Sequence, residues 1–229
     1  MANWEQLFNK QRTVKRRMYP EAFVLRAFLS DYPFRMVNIE PGHKVLDLSC
    51  GYGRNLEFLQ SFGIEVCATE ITEHFVAQLR SAFPSIEFSV GSCQSLPFID
   101  EELDGVVACN SCYYLDDKSS FSDNLREIFR VLKPGGFFLG SMVASRHSLI
   151  VNQPMCPNGT VTISAEDLNR RNSSTVFKRG QRIQTFANRD DLQTTLNDFA
   201  IDIRIGSIEE KLGDTNRHLW YFACTKRGV

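Results

Sequence analysis

The sequence has no surplus of charge of either sign: 26 lysines and arginines stand against 27 aspartates and glutamates, for a formal net charge of -1. A whole-surface electrostatic grip on nucleic acid needs a basic excess, so the balance argues against DNA as a partner and leaves only local patches, and RNA is disfavoured by the lack of an appended RNA-binding module or an aromatic-interleaved basic motif. No apolar run approaches the ~20 residues that cross a bilayer. The best stretch, Phe137 to Ala144, reads as a buried strand. The opening Met1 to Gln6 lacks the basic stretch, apolar core and small-residue cleavage site of a secretory signal. Internal repeats and low-complexity tracts are also missing. The seven cysteines form no even framework, and Cys50, Cys67, Cys109 and Cys224 lie in apolar runs, where a free thiol behaves as a small hydrophobe. A reducing, cytoplasmic compartment is therefore expected. Cys109 and Cys112 form a lone C-x-x-C, but no second pair or histidine pair stands at ligand spacing, so no metal is expected.

What remains is a chain of 229 residues, 43% of them hydrophobic, long enough for one domain with a full core. From Lys44 onward, short β-rich runs alternate with amphipathic stretches, the pattern of β-α-β units in a parallel sheet covered on both faces. Strands are expected at Lys44–Leu48, Glu65–Thr69, Ile86–Val90, Gly105–Cys109 and Phe137–Met142. Helices are expected at Asn55–Phe62, Thr72–Phe83, Asp123–Leu132 and Arg189–Phe199; Thr72 and Asn188 suit N-caps, and Pro84 cannot continue a helix. Ile201–Ser207 and His218–Thr225 close the chain as a hairpin around Gly213-Asp214. Two regions break the alternation. Residues 1–37 carry Trp4, Leu7, Phe8, Phe23, Leu25, Phe28 and Leu29 and suggest helices outside the sheet. Residues 144–187 are too long for an ordinary connection, and such insertions commonly carry substrate contacts or form a lid.

The most informative stretch is Val45-Leu-Asp-Leu-Ser-Cys-Gly-Tyr-Gly-Arg-Asn, a strand entering a glycine turn and then a helix. Gly51 and Gly53 permit positive φ and a close backbone approach to a ligand. A nicotinamide-binding turn would carry a third glycine where Leu56 stands. Asp47 would also repel a pyrophosphate and better suits the cationic end of a ligand.

This stretch resembles the first motif of the class I S-adenosylmethionine-dependent methyltransferases, whose strand ends in Asp before Gly-x-Gly. The similarity runs in order across about residues 40 to 145. Val90-Gly-Ser-Cys-Gln-Ser-Leu-Pro-Phe is similar to the family's "GDAxxLPF", Leu103-Asp-Gly-Val-Val to its fourth strand, and Arg126 to Gly136 to its helix-to-strand connector. The resemblance implies a Rossmann-like α/β fold: a seven-stranded mixed sheet with helices on both faces. It also divides the chain into an N-terminal extension (1–37), a cofactor-binding core (40–143), an insertion or lid (144–187) and a closing helix with an antiparallel hairpin (188–229).

It further implies S-adenosyl-L-methionine as cofactor and S-adenosyl-L-homocysteine as product. Asp47 would hold the cofactor's amino group, with Ser49, Gly51, Gly53, Arg54 and Asn55 around its methionine end. Glu70 would accept hydrogen bonds from the ribose hydroxyls, and Ile71 would lie against the adenine. Ser92 and Cys93 would line the adenine edge, and Asn110 the side facing the transferred methyl. Ser49 replaces a usual Gly, and Ser92 replaces an Asp that often holds the adenine amine.

A methyl group on a sulfonium is already activated, so the protein's main tasks are to align the nucleophile and exclude water. Tyr113 and Tyr114 stand where relatives often carry His and could orient an acceptor. His147, after the fifth strand, is the best candidate for a base; His43, His74 and His218 look ordinary by position. Basic residues cluster at Arg12, Lys15, Arg16 and Arg17, and again at Arg170, Arg171, Lys178, Arg179 and Arg182. Those clusters favour a small, anionic methyl acceptor, used by a monomer or homodimer without a membrane. The rival readings are a non-catalytic partner subunit that keeps the cofactor site and, further off, a nicotinamide-dependent oxidoreductase.

Overall fold

The computed structural model describes residues 19–31, 33–164 and 180–228. The elements are α1 (Ala22–Leu29), β1 (Lys44–Asp47), α2 (Leu56–Gln60), β2 (Glu65–Glu70), α3 (Glu73–Ala82), β3 (Glu87–Val90), β4 (Leu103–Cys109), β5 (Tyr114–Leu115), α4 (Phe121–Val131), β6 (Leu132–Val143), β7 (Thr160–Thr162), β8 (Arg182–Gln184), α5 (Arg189–Asn197), β9 (Ala200–Leu212) and β10 (Thr215–Lys226). Seven strands form one sheet in the order β3-β2-β1-β4-β6-β10-β9. The central strands run parallel, with Val45 beside Val66 and Leu46 beside Val106, while β10 is antiparallel to both β6 and β9. This is the mixed sheet expected of the class I fold.

Helices cover both faces because the strands are apolar on both sides, as parallel strands require. On one face α4 contributes Leu125, Ile128 and Phe129, and α5 contributes Leu192 and Leu196. On the other, α1 supplies Phe23, Val24, Ala27 and Phe28, joined by Leu56 and Leu59 of α2 and by Phe75, Val76 and Leu79 of α3. Phe28 meets Phe58 and Phe137 edge-on at 5.8 and 6.0 Å and is almost fully buried. Burial of a ring like this is worth about 2–3 kcal/mol. Gly140 of β6 lies under the Phe222 ring, where a Cβ would come within 2.5 Å; the missing side chain makes room for the cross-strand aromatic.

Several boundaries differ from the sequence expectation, each for a local reason. Helix α4 begins two residues early because Ser120 and Asp123 form a reciprocal capping box. Helix α2 is only five residues long. The closing strands are much longer than expected: Leu212 pairs with Thr215 across a turn at Gly213 and Asp214. The tip of this hairpin runs past the last β10–β6 pair, Leu219 with Val143, and holds the loop after β6. There the Ala144 amide donates to the His218 carbonyl at 2.9 Å and the Ser148 amide to the Asn216 carbonyl at 2.8 Å.

Of the irregular regions, α1 is described, whereas Trp4, Leu7, Phe8 and the basic residues Arg12, Lys15, Arg16 and Arg17 lie outside the described residues, as do Arg170, Arg171, Lys178 and Arg179. The described parts of 144–187 contribute β7 and β8 to a second, antiparallel sheet of order β5-β8-β7, with Ile183 between Tyr114 and Val161. Because β5 follows β4 closely, this small sheet stands beyond the carboxyl end of β4. Among the described residues no helix is long and apolar enough to cross a membrane, and no group of three or more His, Cys, Asp or Glu could hold a metal ion.

Candidate functional site

The carboxyl ends of β1, β2, β3 and β4 are Asp47, Glu70, Val90 and Cys109, so the topology gathers the motif residues at one edge of the sheet. This is the edge where open α/β sheets bind ligands. Asp47 is fully buried, and among the described residues both its carboxylate oxygens lack a hydrogen-bond partner. Burial pushes its carboxyl up to about 7; the nearby Arg54 guanidinium and Asn55 amide oppose that shift, and Glu70 adds to it. A buried carboxylate without a partner is costly, and a cation placed against it removes that cost.

Glu70 is also buried, but its oxygens are engaged. Oε1 accepts from the Gly51 amide at 2.7 Å and Oε2 from the Ile71 amide at 3.1 Å. Burial raises its carboxyl to about 7, with the two amides opposing. Each oxygen keeps a further lone pair, enough for a pair of hydroxyls.

The turn between β1 and α2 is held by the neighbouring strand ends. The Cys50 amide donates to the Thr69 carbonyl and the Ser49 amide to Thr69 Oγ1, while Ser111 Oγ donates to the Leu48 carbonyl at 2.8 Å. Ser49 has φ +53°, the left-handed conformation that the family's glycine adopts freely. The two turn glycines differ. A Cβ on Gly51 would meet nothing within 4 Å, whereas one on Gly53 would come within 2.7 Å of Leu56 and 2.8 Å of Phe83. Among the described residues, Gly51 thus borders open space and Gly53 is a packing requirement. Helix α2 is only five residues long, and its Leu56 amide already bonds the Gly53 carbonyl.

Ile71 and Val90, at the ends of β2 and β3, are 46% and 42% exposed and form an apolar ledge beside Glu70. Ser92 closes a tight turn with Ser95 through reciprocal backbone bonds, and the buried Cys93 thiol donates to the Ser111 carbonyl. Asn110 has φ +53° and is fixed by Ser141, whose Oγ accepts from the Asn110 amide and donates to its Oδ1, both at 3.0 Å.

The tyrosine rings of Tyr113 and Tyr114 stack at 4.7 Å. Burial pushes both phenols up, Tyr114 to about 12, and the two hydroxyls hydrogen-bond to each other. Both are therefore neutral donors near pH 7. His147 is buried in the loop after β6, and its Nδ1 accepts from the Leu149 amide at 3.1 Å. In the neutral ring that arrangement leaves the proton on Nε2, which makes the ring a donor. Cys109 and Cys112 are free thiols raised by burial, which suits neither a redox pair nor a metal site. Arg182, the described member of the second basic cluster, donates to the carbonyls of Asp116 and Ser119 and holds its own loop together.

Two residues that the sequence did not single out join this edge. Glu21, just before α1, pairs with Arg54 at 2.6 Å and with Arg217 of β10 at 3.5 Å, and its amide donates to Asn55 Oδ1 at 3.2 Å. No local pattern marks either residue, because they meet only through the packing of α1 against the sheet.

Comparisons agree with this geometry. A family model described as a methyltransferase domain matches residues 46–140. Over 100 residues the chain is 33% identical to a probable S-adenosylmethionine-dependent methyltransferase of Mycolicibacterium smegmatis, covering 44% of this chain and 38% of that protein. Over 177 residues it is 27% identical to a putative methyltransferase, YqeM, of Bacillus subtilis, covering 76% of this chain and 65% of that protein. The chain thus spans less than two thirds of the length of these curated relatives. The solved structure of an S-adenosylmethionine-dependent methyltransferase from Methanosarcina mazei shares the fold with a TM-score of 0.64 at 22% identity, covering 88% of this chain and 100% of that one. In its motif order, its sheet and these matches, the chain is similar to the class I S-adenosylmethionine-dependent methyltransferases, with the methyltransferase-domain match confined to residues 46–140.

Proposed function

We propose that the protein transfers a methyl group from S-adenosyl-L-methionine to a small, anionic molecule. The observation that carries the cofactor half of this reading is the buried, unpartnered carboxyl group of Asp47. An ammonium group would complete it, whereas the pyrophosphate of a dinucleotide would be repelled. The flanking residues fit the rest of the molecule. Gly51 leaves space for the chain to pass beside the methionine end. Glu70 has lone pairs for the ribose hydroxyls, and Ile71 and Val90 give the adenine an apolar seat.

When bound, the cofactor supplies a methyl group already activated by the sulfonium. The chain's own tasks are then to orient the acceptor and keep water out. The hydrogen-bonded pair of Tyr113 and Tyr114, just past the carboxyl end of β4, offers one hydroxyl donor, and Asn110 is locked in place by Ser141. Tyrosines raised this far do not act as bases near neutral pH, so in this reading they position the acceptor. The anionic half rests on the basic residues that cluster in the sequence of the two irregular regions.

The test begins with calorimetric titration of S-adenosyl-L-homocysteine, followed by transfer of labelled methyl to panels of small carboxylates, phosphates, neutral alcohols and amines. Binding together with label on an anionic acceptor is the expected result. No binding at millimolar ligand overturns the cofactor half, and transfer only to neutral or cationic acceptors overturns the anionic half.

A further inference from the structure

We propose that Glu21 is a placeholder for the α-carboxylate of the cofactor: it holds the Arg54 guanidinium in the ligand-free protein and yields it to the ligand on binding. The inference rests on the reading of the Asp47 pocket as the seat of the methionine end. An α-amino acid carries its ammonium and carboxylate on one carbon, so the groups that bind them must stand side by side. Asp47 ends β1 and Arg54 lies in the turn that follows it, and Arg54 is the cation whose charge bears on Asp47. The Arg54 guanidinium is already occupied by a carboxylate, however, because its Nη1 lies 2.6 Å from Glu21 Oε1.

The surroundings make Glu21 an exchangeable partner. The same Oε1 lies 3.5 Å from Nη2 of a second guanidinium, Arg217. Arg217 also pairs with Glu210 at 2.9 Å. When a ligand carboxylate takes Arg54, Glu21 retains Arg217, and Arg217 retains Glu210, so no charge is stranded by the exchange. The backbone anchor is independent of the side chain: the Glu21 amide donates to Asn55 Oδ1, which keeps the start of α1 against the cofactor turn whichever carboxylate Arg54 holds. A side chain that keeps Arg54 ordered also reduces the ordering that the ligand must impose, at the cost of competing with it.

The experiment compares two ligands by calorimetry. S-adenosyl-L-homocysteine carries the amino-acid end, and 5′-methylthioadenosine keeps the nucleoside and thioether but lacks it. Glu21→Gln should tighten S-adenosyl-L-homocysteine about five- to fifty-fold and leave 5′-methylthioadenosine unchanged. Arg54→Gln should weaken the first at least ten-fold and again leave the second unchanged. Unchanged 5′-methylthioadenosine binding also shows that each variant is folded. Weaker or equal S-adenosyl-L-homocysteine binding by Glu21→Gln overturns the placeholder role, and so does an equal change for both ligands. If the parent protein binds neither ligand, the cofactor reading itself fails, which is a separate outcome.

Discussion

Gly51 donates its backbone N–H to Glu70 Oε1 at 2.7 Å, so the carboxylate at the end of β2 also fixes the glycine turn that leaves β1. The side chain expected to hold the ribose therefore has a second task in the free protein. The two tasks separate by substitution. Glu70→Gln keeps an oxygen for Gly51 but replaces the other acceptor with an amide. It should hold its melting temperature within a few degrees and weaken S-adenosyl-L-homocysteine about ten-fold. Glu70→Ala loses the turn as well, and it should cost about 1–3 kcal/mol of stability in addition to binding. Thermal unfolding and calorimetry on the same two variants read both effects.

Asp47 and Glu70 make stability depend on pH in an unusual direction. Both carboxyls are pushed up to about 7 by burial. Between about pH 4 and 7 the folded protein keeps protons that the unfolded chain has released, so stability falls as pH rises through that window and levels off above it. At about 1.4 kcal/mol per pKa unit, the contributions are at most about 4–5 kcal/mol for Asp47 and about 3–4 kcal/mol for Glu70. Asp123 and Glu127 are lowered instead, so their contributions lie at the acid side of this window. Urea unfolding from pH 5 to 8 should show the decline in the parent and a shallower one in Asp47→Asn, which should also lose cofactor affinity. In the parent, affinity for S-adenosyl-L-homocysteine should rise from pH 6 to 8 as Asp47 ionises.

The two glycines of the turn predict opposite phenotypes. Gly53→Ala drives a Cβ into Leu56 and Phe83 at φ +79° and should destabilise the fold by about 2–3 kcal/mol. Gly51→Ala meets no atom and carries only the cost of its φ of +61°, about 1–2 kcal/mol. Its larger effect should fall on cofactor affinity, through the space it fills. A denaturation curve and a titration for each variant decide the assignment.

The stacked tyrosines and His147 can be separated by rate. Tyr114→Phe removes the hydroxyl that hydrogen-bonds to Tyr113, and the methyl-transfer rate should fall about ten-fold with little change in cofactor affinity. His147→Gln keeps a side-chain acceptor in the loop after β6. If the ring is a donor in that loop, as its Leu149 bond indicates, the rate should stay within about three-fold of the parent. A loss of a hundred-fold, with a limb of the pH profile removed, would establish His147 as the base.

The chain's local order was legible before any coordinates. Periodicity and turn residues locate the strands whose ends carry Asp47, Glu70 and Cys109, because alternation, caps and glycine turns are written within a few residues of one another. The N-cap bonds of Thr72 and Asn188 follow for the same reason. The length of the β9–β10 hairpin was not legible, since its polar half is held by cross-strand pairing and by the loop after β6 rather than by an apolar pattern.

What the sequence by itself determined is the β-α order and the placing of the motif carboxylates and glycines at strand ends, because short-range backbone preferences set those positions. What only the tertiary structure decided is which of these groups are paired. Asp47 is left without a partner, Glu70 is bound to Gly51, and Glu21 meets Arg54 and Arg217 although 196 positions separate it from the latter. Partnership between distant side chains is set by how helices and strands pack, and it is that packing which makes one carboxylate a structural tie and another an open site for a cation.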